Sequence, residues 1–228
     1  MSRVALVPAR GGSRAIPRKN VEELGGRPLI AWAIGAIRAA EVVDRVVVST
    51  EDDEIAGEAR AAGAEVLDRP VELARDETPG LEVVQHAVDA LEASWMLLVQ
   101  PTEPFVTPEQ IRGALELAET RGADSAITVV GVPRNFHPFH VRVERDGFLE
   151  FDRAEDHYAH PTRQADPPRY AFGNLYWFCR STFLEERAVE CGRRVGYPID
   201  ALTALDLNTP EDWALAEAVV AAGLVGRW

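Results

Sequence analysis

The chain has 228 residues, 46% of them hydrophobic and 27% charged, with a formal net charge of −13. That acidity argues against nucleic acid or an anionic membrane as the main partner, and no apolar run reaches the roughly 18 residues of a membrane span. Two cysteines, Cys179 and Cys191, lack metal-ligand spacing and are too few for a disulfide framework, so a reducing cytoplasm is the expected setting. The N-terminal "MSRVALVPARGG" is too short in apolar residues for a secretory signal.

In chain order, residues 3–8 ("RVALVP") read as a short buried strand and 28–41 as a helix with proline near its first turn. Strands follow at 44–50 and 64–70, around a helix at 52–63 with acids at its start and glycine at its end. Residues 81–93 read as a helix, 95–101 as a strand, 107–122 as a helix and 125–132 as a fifth strand. This alternation predicts an α/β fold: a doubly wound, mostly parallel sheet with helices on both faces. Ligands in such sheets sit beyond the carboxyl ends of the strands.

Residues 133–175 break the alternation. They hold four of the five histidines and five of the fifteen prolines, with short strands plausible at 139–143 and 147–151. They read as an arm on a single domain covering 1–228. The αβ pattern resumes with "NLYWFC" (174–179), "ALDLNT" (204–209) and a helix over 210–223. The histidine pairs "HPFH" (137–140) and "HYAH" (157–160) do not read as helical and lack a clear third ligand. An interface or a solvated loop is favoured there over zinc.

The stretch "ALVPARGGSRAIPRKN" follows the first strand and gathers Arg10, Arg14, Arg18 and Lys19 in an otherwise acidic chain. Lys19 is the sole lysine; the other 23 basic residues are arginine. Neither GxGxxG nor GxxxxGK[ST] is present, so the dinucleotide and P-loop mechanisms do not apply. Gly11 and Gly12 would allow close backbone approach to an anion, with Arg10 and Arg14 as forked donors and Lys19 as a compact charge. A nucleoside triphosphate, with about four negative charges, matches this set of cations. The alternative is a solvated loop with scattered arginines.

"VPARGGSRAIPRKN", "GRPLIAWAI", "DRVVVSTEDDEIAGEARAAGAEVLDRPVELARD", "LLVQPTEPF" and "LDLNTPEDWALAEA" resemble, in order and spacing, the acylneuraminate cytidylyltransferases. The 3-deoxy-manno-octulosonate cytidylyltransferases are more distant relatives. The resemblance implies a Rossmann-like nucleotidyltransferase fold and transfer of CMP from CTP to a nonulosonic acid, with pyrophosphate released and Mg2+ or another divalent cation required. It also implies roles. Ala9 and Arg10 would line the nucleotide pocket. Arg10 and Arg14 would hold the triphosphate, with Gly12 and Ser13 in the same loop. Lys19 would neutralise phosphate charge beside Asn20. Arg69 would lie near the cytosine and Gln100 at the sugar–nucleotide junction. The arm would cross to a second subunit in a homodimer and complete its sugar site. Arg10, Lys19 and Asp206 are the expected catalytic residues.

Departures from the family pattern define the remaining questions. The family's metal-binding "DxD" is here Asp206-Leu207-Asn208, which keeps an oxygen ligand at Asn208 but loses a charge. Asp212 aligns nearby but opens a helix, with Thr209 as its N-cap and Pro210 in its first turn. "QPTSPLR" is replaced by "QPTEPFV", bringing in Glu103 and Val106, and Gly80 stands near a usual hydroxyl position. Residues 162–178 follow the family only loosely. Arg163 is a candidate for the sugar carboxylate, with Gln164, Tyr170, Asn174 and Tyr176 around it, though Tyr176 and Trp177 read equally as strand core. Two other readings remain open: a cytidylyltransferase for another sugar acid such as an octulosonate, and a non-catalytic nucleotide-sugar binding protein of the same fold. The sequence does not name the sugar.

Overall fold

A computed structural model describes residues 2–13, 15–160, 162–226 and 228. Seven strands form one sheet in the order β3-β2-β1-β4-β8-β5-β9. They are β1 (Arg3–Pro8), β2 (Arg45–Thr50), β3 (Glu65–Asp68), β4 (Trp95–Val99), β5 (Ser125–Gly131), β8 (Tyr170–Cys179) and β9 (Arg194–Pro198). Every pairing is parallel except the two that flank β8, which runs antiparallel between β4 and β5. The four apolar residues at the centre of β1 and all five of β4 are buried, as in strands covered on both faces.

Helices α1 (Leu29–Ala40), α2 (Asp53–Ala61) and α4 (Pro108–Arg121) share a core with Ala5 and Val7 of β1. Helix α3 (Gly80–Ala90) and the short α6 (Arg180–Glu186) cover the other face, against Val4 and Leu6. The strand period of two divides β1 between these two cores. Helix starts follow the local chemistry. Asp52 caps α2 by accepting from the Glu54 and Ile55 amides, and Thr107 forms a reciprocal capping box with Gln110 at α4. Gly122 closes α4 in the left-handed conformation.

The expected βαβαβαβαβ order is present, with boundaries shifted by a few residues. Two readings need correction, and one strand is added to them. Residues 204–209 are not a strand. Their apolar pattern arises because Leu205 and Leu207 pack into a third cluster with Leu24, Leu29, Trp32, Phe105 and helix α7 (Pro210–Ala221). Strand β9 carries little strand signal in the sequence, being an edge strand, half exposed and ending in proline. Residues 154–159, including His157, form a short helix α5 (Ala154–Ala159).

The arm carries its own two-stranded sheet, β6 (Arg142–Arg145) with β7 (Phe148–Phe151). Its interior is polar and aromatic, and His137 and His140 are buried there rather than solvated. His140 Nε2 lies 3.0 Å from both Asp166 carboxylate oxygens, and its Nδ1 lies 2.9 Å from His157 Nδ1. His137 Nε2 donates to the Pro167 carbonyl at 3.0 Å. The ring of His157 stacks on Phe151 at 3.6 Å. Among the described residues, no helix is long and apolar enough to cross a membrane.

Candidate active site

Strand β1 has β2 on one side and β4 on the other, so the chain reverses its winding direction between β1 and β4. A cleft of about 480 Å³ opens at the carboxyl ends of these two strands. Such a switch point is where open α/β sheets bind ligands, because the loops after the two strands turn apart. Arg10, Gly12, Ser13, Lys19 and Asn20 line the cleft from the loop after β1; Gln100 and Thr102 line it from the loop after β4. Arg69 enters from the end of β3 and Tyr176 from β8.

The loop after β1 is held by polar contacts that make its shape specific. The buried Asn20 side chain donates to the Arg10 carbonyl at 2.9 Å. The Gly11 amide donates to Glu51 Oε1 at 2.8 Å. A Cβ on Gly11 would lie 2.5 Å from Asp52 Oδ2, so glycine there serves close packing on the start of α2. Gly12 has open space around the same position and faces the cleft. Arg18 does not face the cleft. Its guanidinium clamps Asp52 and Glu54, which raises the Arg18 pKa, and the Asp52 carboxyl is held down at about 2 chiefly by that bond. Of the four clustered cations, this one ties the loop to α2.

Lys19 is half-buried, and its ammonium donates to the Leu207 carbonyl at 2.6 Å. Burial lowers its pKa and the nearby Asp206 charge opposes that effect. Arg10 pairs with Asp76 at 2.8 Å, on the segment that forms the cleft's outer wall. Arg69 is buried; its guanidinium donates to the Ser49 carbonyl at 2.6 Å and to the Ser49 hydroxyl at 3.2 Å. Tyr176 stacks on Phe172 with ring centroids 4.3 Å apart, and burial pushes its phenol up to about 12.

Behind the cleft, the Leu207 amide donates to the Thr102 carbonyl at 2.9 Å, joining the β4 loop to residues 206–208. Glu103 is 3% exposed, and burial together with the Asp206 charge pushes its carboxyl up to about 8. Glu103 Oε2 and Asp206 Oδ1 are buried with no hydrogen-bond partner. The Asn208 amide nitrogen donates to Asp206 Oδ2 at 2.7 Å. Asp212 works as expected at the helix start: its carboxylate accepts from the Asn208 and Thr209 amides, completing the Thr209 capping box.

Against this geometry, a family model described as cytidylyltransferase matches residues 4–153. The chain belongs to the cytidylyltransferase family. It is 31% identical to N-acylneuraminate cytidylyltransferase A of Danio rerio over 98% of this chain, but spans only 52% of that protein. The chain thus covers about half the length of that relative. It is 30% identical to the CMP-N,N'-diacetyllegionaminic acid synthase of Legionella pneumophila, over 95% of each chain. The fold matches a CMP:2-keto-3-deoxy-manno-octonic acid synthetase solved with CTP, with a TM-score of 0.75 at 17% identity over 98% of this chain and 100% of that one.

Within this member of the family, eight of the expected site residues line one cleft: Arg10, Gly12, Ser13, Lys19, Asn20, Arg69, Gln100 and Tyr176. Ala9 is buried beneath the loop, its amide bonded to the Ser49 carbonyl. Arg14 and the side chain of Arg163 lie outside the described residues and atoms. The expected sugar-site residues divide. Asn174 is fully buried and does not line the cleft. It accepts from Thr128 at 3.0 Å and donates to Gln110 and to the Thr203 carbonyl, both at 2.9 Å. A polar residue on a central strand reads as a ligand contact until its partners on neighbouring elements are known. Gln164 and Tyr170 are exposed on the arm and its junction with β8, outside the cleft of their own chain. Sequence reasoning missed Arg75, Asp76 and Thr78 on the cleft wall. The pattern "ELARD" contains Arg75 and Asp76, yet nothing local marks their side chains as facing the β1 loop.

Proposed function

We propose that this chain transfers CMP from CTP to the anomeric hydroxyl of a nonulosonic, sialic-type acid, releasing pyrophosphate. The observation that carries this reading is the convergence of Arg10, Lys19, Asn20, Arg69 and Gln100 on one cleft at the sheet's switch point. The names of its relatives, a synthase for CMP-N,N'-diacetyllegionaminic acid and an N-acylneuraminate cytidylyltransferase, support the substrate class.

The chemistry needs positioning and charge neutralisation more than a covalent partner. Arg10 and Lys19 face the phosphates, Arg10 through a planar fork and Lys19 as a point charge. Arg10 offers five donors, so it reaches phosphate oxygens while one nitrogen keeps its Asp76 partner. Arg69, rigid through its Ser49 bonds, borders the base end, and Gln100 lies toward the acceptor sugar.

A divalent cation fits this donor set, because Asp206 Oδ1 is buried and lacks any partner. When bound, such an ion neutralises phosphate charge and favours ionisation of the attacking hydroxyl. Asp206 is the carboxylate that would hold it. Asn208, expected as a second oxygen ligand, turns its amide nitrogen to Asp206 Oδ2 and so orients that carboxylate. We also propose a cytoplasmic homodimer in which the arm reaches the partner's cleft. Phe136, Phe148, Leu149, Tyr158 and Tyr170 on and beside the arm are left exposed for such a contact.

Calorimetry with CTP, UTP, ATP and GTP tests the reading at its first step. CTP is expected to bind at least about tenfold more tightly than the purines. Equal binding of ATP or GTP would remove the cytidylyltransferase reading's main support.

A further inference from the structure

We infer that Glu103 is a second carboxylate ligand for a divalent cation and that, with Asp206, it forms a two-carboxylate site behind the cleft. The inference deepens the cytidylyltransferase reading and rests on it for the ion's part in the reaction.

The acidic groups around the cleft have different fates. Asp212 is consumed by the α7 capping box, and Asp76 faces Arg10. Glu51 has one oxygen on the Gly11 amide and its other oxygen buried without a hydrogen-bond partner, but its charge is met by the Arg69 guanidinium. Glu103 and Asp206 stand together. Their charges act on one another, and each keeps one buried oxygen that meets no donor. Burying a carboxylate oxygen without a partner costs several kcal/mol in general, so a pair of them persists where a cation or protons compensate.

The fold holds the pair in place. Phe105, two residues after Glu103, and Leu207, beside Asp206, are buried in one apolar cluster. The Leu207–Thr102 backbone bond ties the two segments directly. Asn208 holds the second oxygen of Asp206, leaving Oδ1 for a ligand. The Lys19 ammonium, whose charge acts on Asp206, is directed to the Leu207 carbonyl. A pair of carboxylate oxygens suits a hard cation such as Mg2+ or Mn2+. In this arrangement the negative charge missing at Asn208 is supplied from the turn after β4 by Glu103.

The test is Mn2+ binding to the full chain without nucleotide, followed by loss of the free-ion paramagnetic resonance signal. The wild type is expected to bind one Mn2+, with Mg2+ competing. Glu103→Gln keeps the side chain's volume and should weaken Mn2+ by at least about tenfold, as loss of metal partners does. Asp206→Asn should do the same. Glu103→Gln should also melt higher than wild type in chelator, and lose the upward shift that Mg2+ gives the wild type. Mn2+ affinity within twofold of wild type in a folded Glu103→Gln variant would overturn the inference, as would a wild type that binds no Mn2+. CTP calorimetry on the same samples in chelator separates the two claims. Failure to bind CTP counts against the cytidylyltransferase reading, while the Mn2+ result decides Glu103.

Discussion

Lys19 and Leu207, 188 residues apart, are joined by a 2.6 Å hydrogen bond from the ammonium to the backbone carbonyl. The bond closes the loop after β1 onto the segment that carries Asp206. It gives a physical reason for lysine in a chain that otherwise uses arginine: a compact ammonium fits a half-buried site facing a single carbonyl, and a planar fork does not. Lys19→Met is expected to cut turnover on the order of a hundredfold, the effect of removing a charge-stabilising donor. Its cost to stability should stay near 1 kcal/mol, the usual net worth of one hydrogen bond. Lys19→Arg should lose most of the activity as well. Pyrophosphate release and chemical denaturation measure the two effects separately.

The Arg18–Asp52 pair belongs to the fold, and pH reads it out. Asp52 is held at about 2 in the folded chain, against an ordinary value of 3.8. A depressed carboxylate contributes stability above its unfolded value and loses it as pH falls through the folded one. The contribution is therefore complete above about pH 5 and disappears toward pH 2. Asp52→Asn keeps the helix cap and removes the charge, so the fall in stability between pH 4 and 2 should be shallower. Melting temperatures across that range check it. Solvent exposure of Arg18 keeps the effect modest.

Asn174 is expected to act on stability and not on the sugar. Asn174→Ala leaves Gln110, Thr128 and the Thr203 carbonyl short of a buried partner, at a cost of about 2 kcal/mol. The KM for the acceptor should stay within about twofold. A large KM rise in a variant of unchanged stability would return Asn174 to the sugar pocket.

Asn208→Asp sets a carboxylate where an amide now donates to Asp206 at 2.7 Å. Without metal the like charges repel, and the variant should melt lower than wild type. With Mg2+ the added charge faces the cation, and the ion concentration for half-maximal rate should fall. A thermal-shift series across Mg2+ concentrations checks both signs.

The parts legible in the sequence are those set by local pattern. The buried strands declare themselves by apolar runs, and Thr209-Pro210 marks a helix start. The "PARGGSRAIPRKN" loop, Arg69 and Gln100 sit where strand ends must bring them. What was illegible depends on distant partners. Arg18 reads only as one of the clustered cations, with no role of its own, because its acidic partners, Asp52 and Glu54 at the start of α2, are distant in sequence. Asn174 looked like a sugar contact because Gln110 and Thr203 reach it only in the folded chain. Glu103 reads only as a departure from the family pattern, because the Asp206 charge that acts on it comes from a segment about a hundred residues away. The alternation of 204–209 reflected packing on helices, a period the sequence shares with strands.

The most direct test is pyrophosphate release from CTP, with Mg2+, on a panel of acceptors: N-acetylneuraminate, legionaminate, pseudaminate and an octulosonate. Release with CTP and at least one nonulosonic acid, absent without the acceptor and much weaker with ATP or GTP, is the expected result. No release with any acceptor, from a folded protein that binds CTP, would contradict catalysis and leave a nucleotide-binding protein of the same fold.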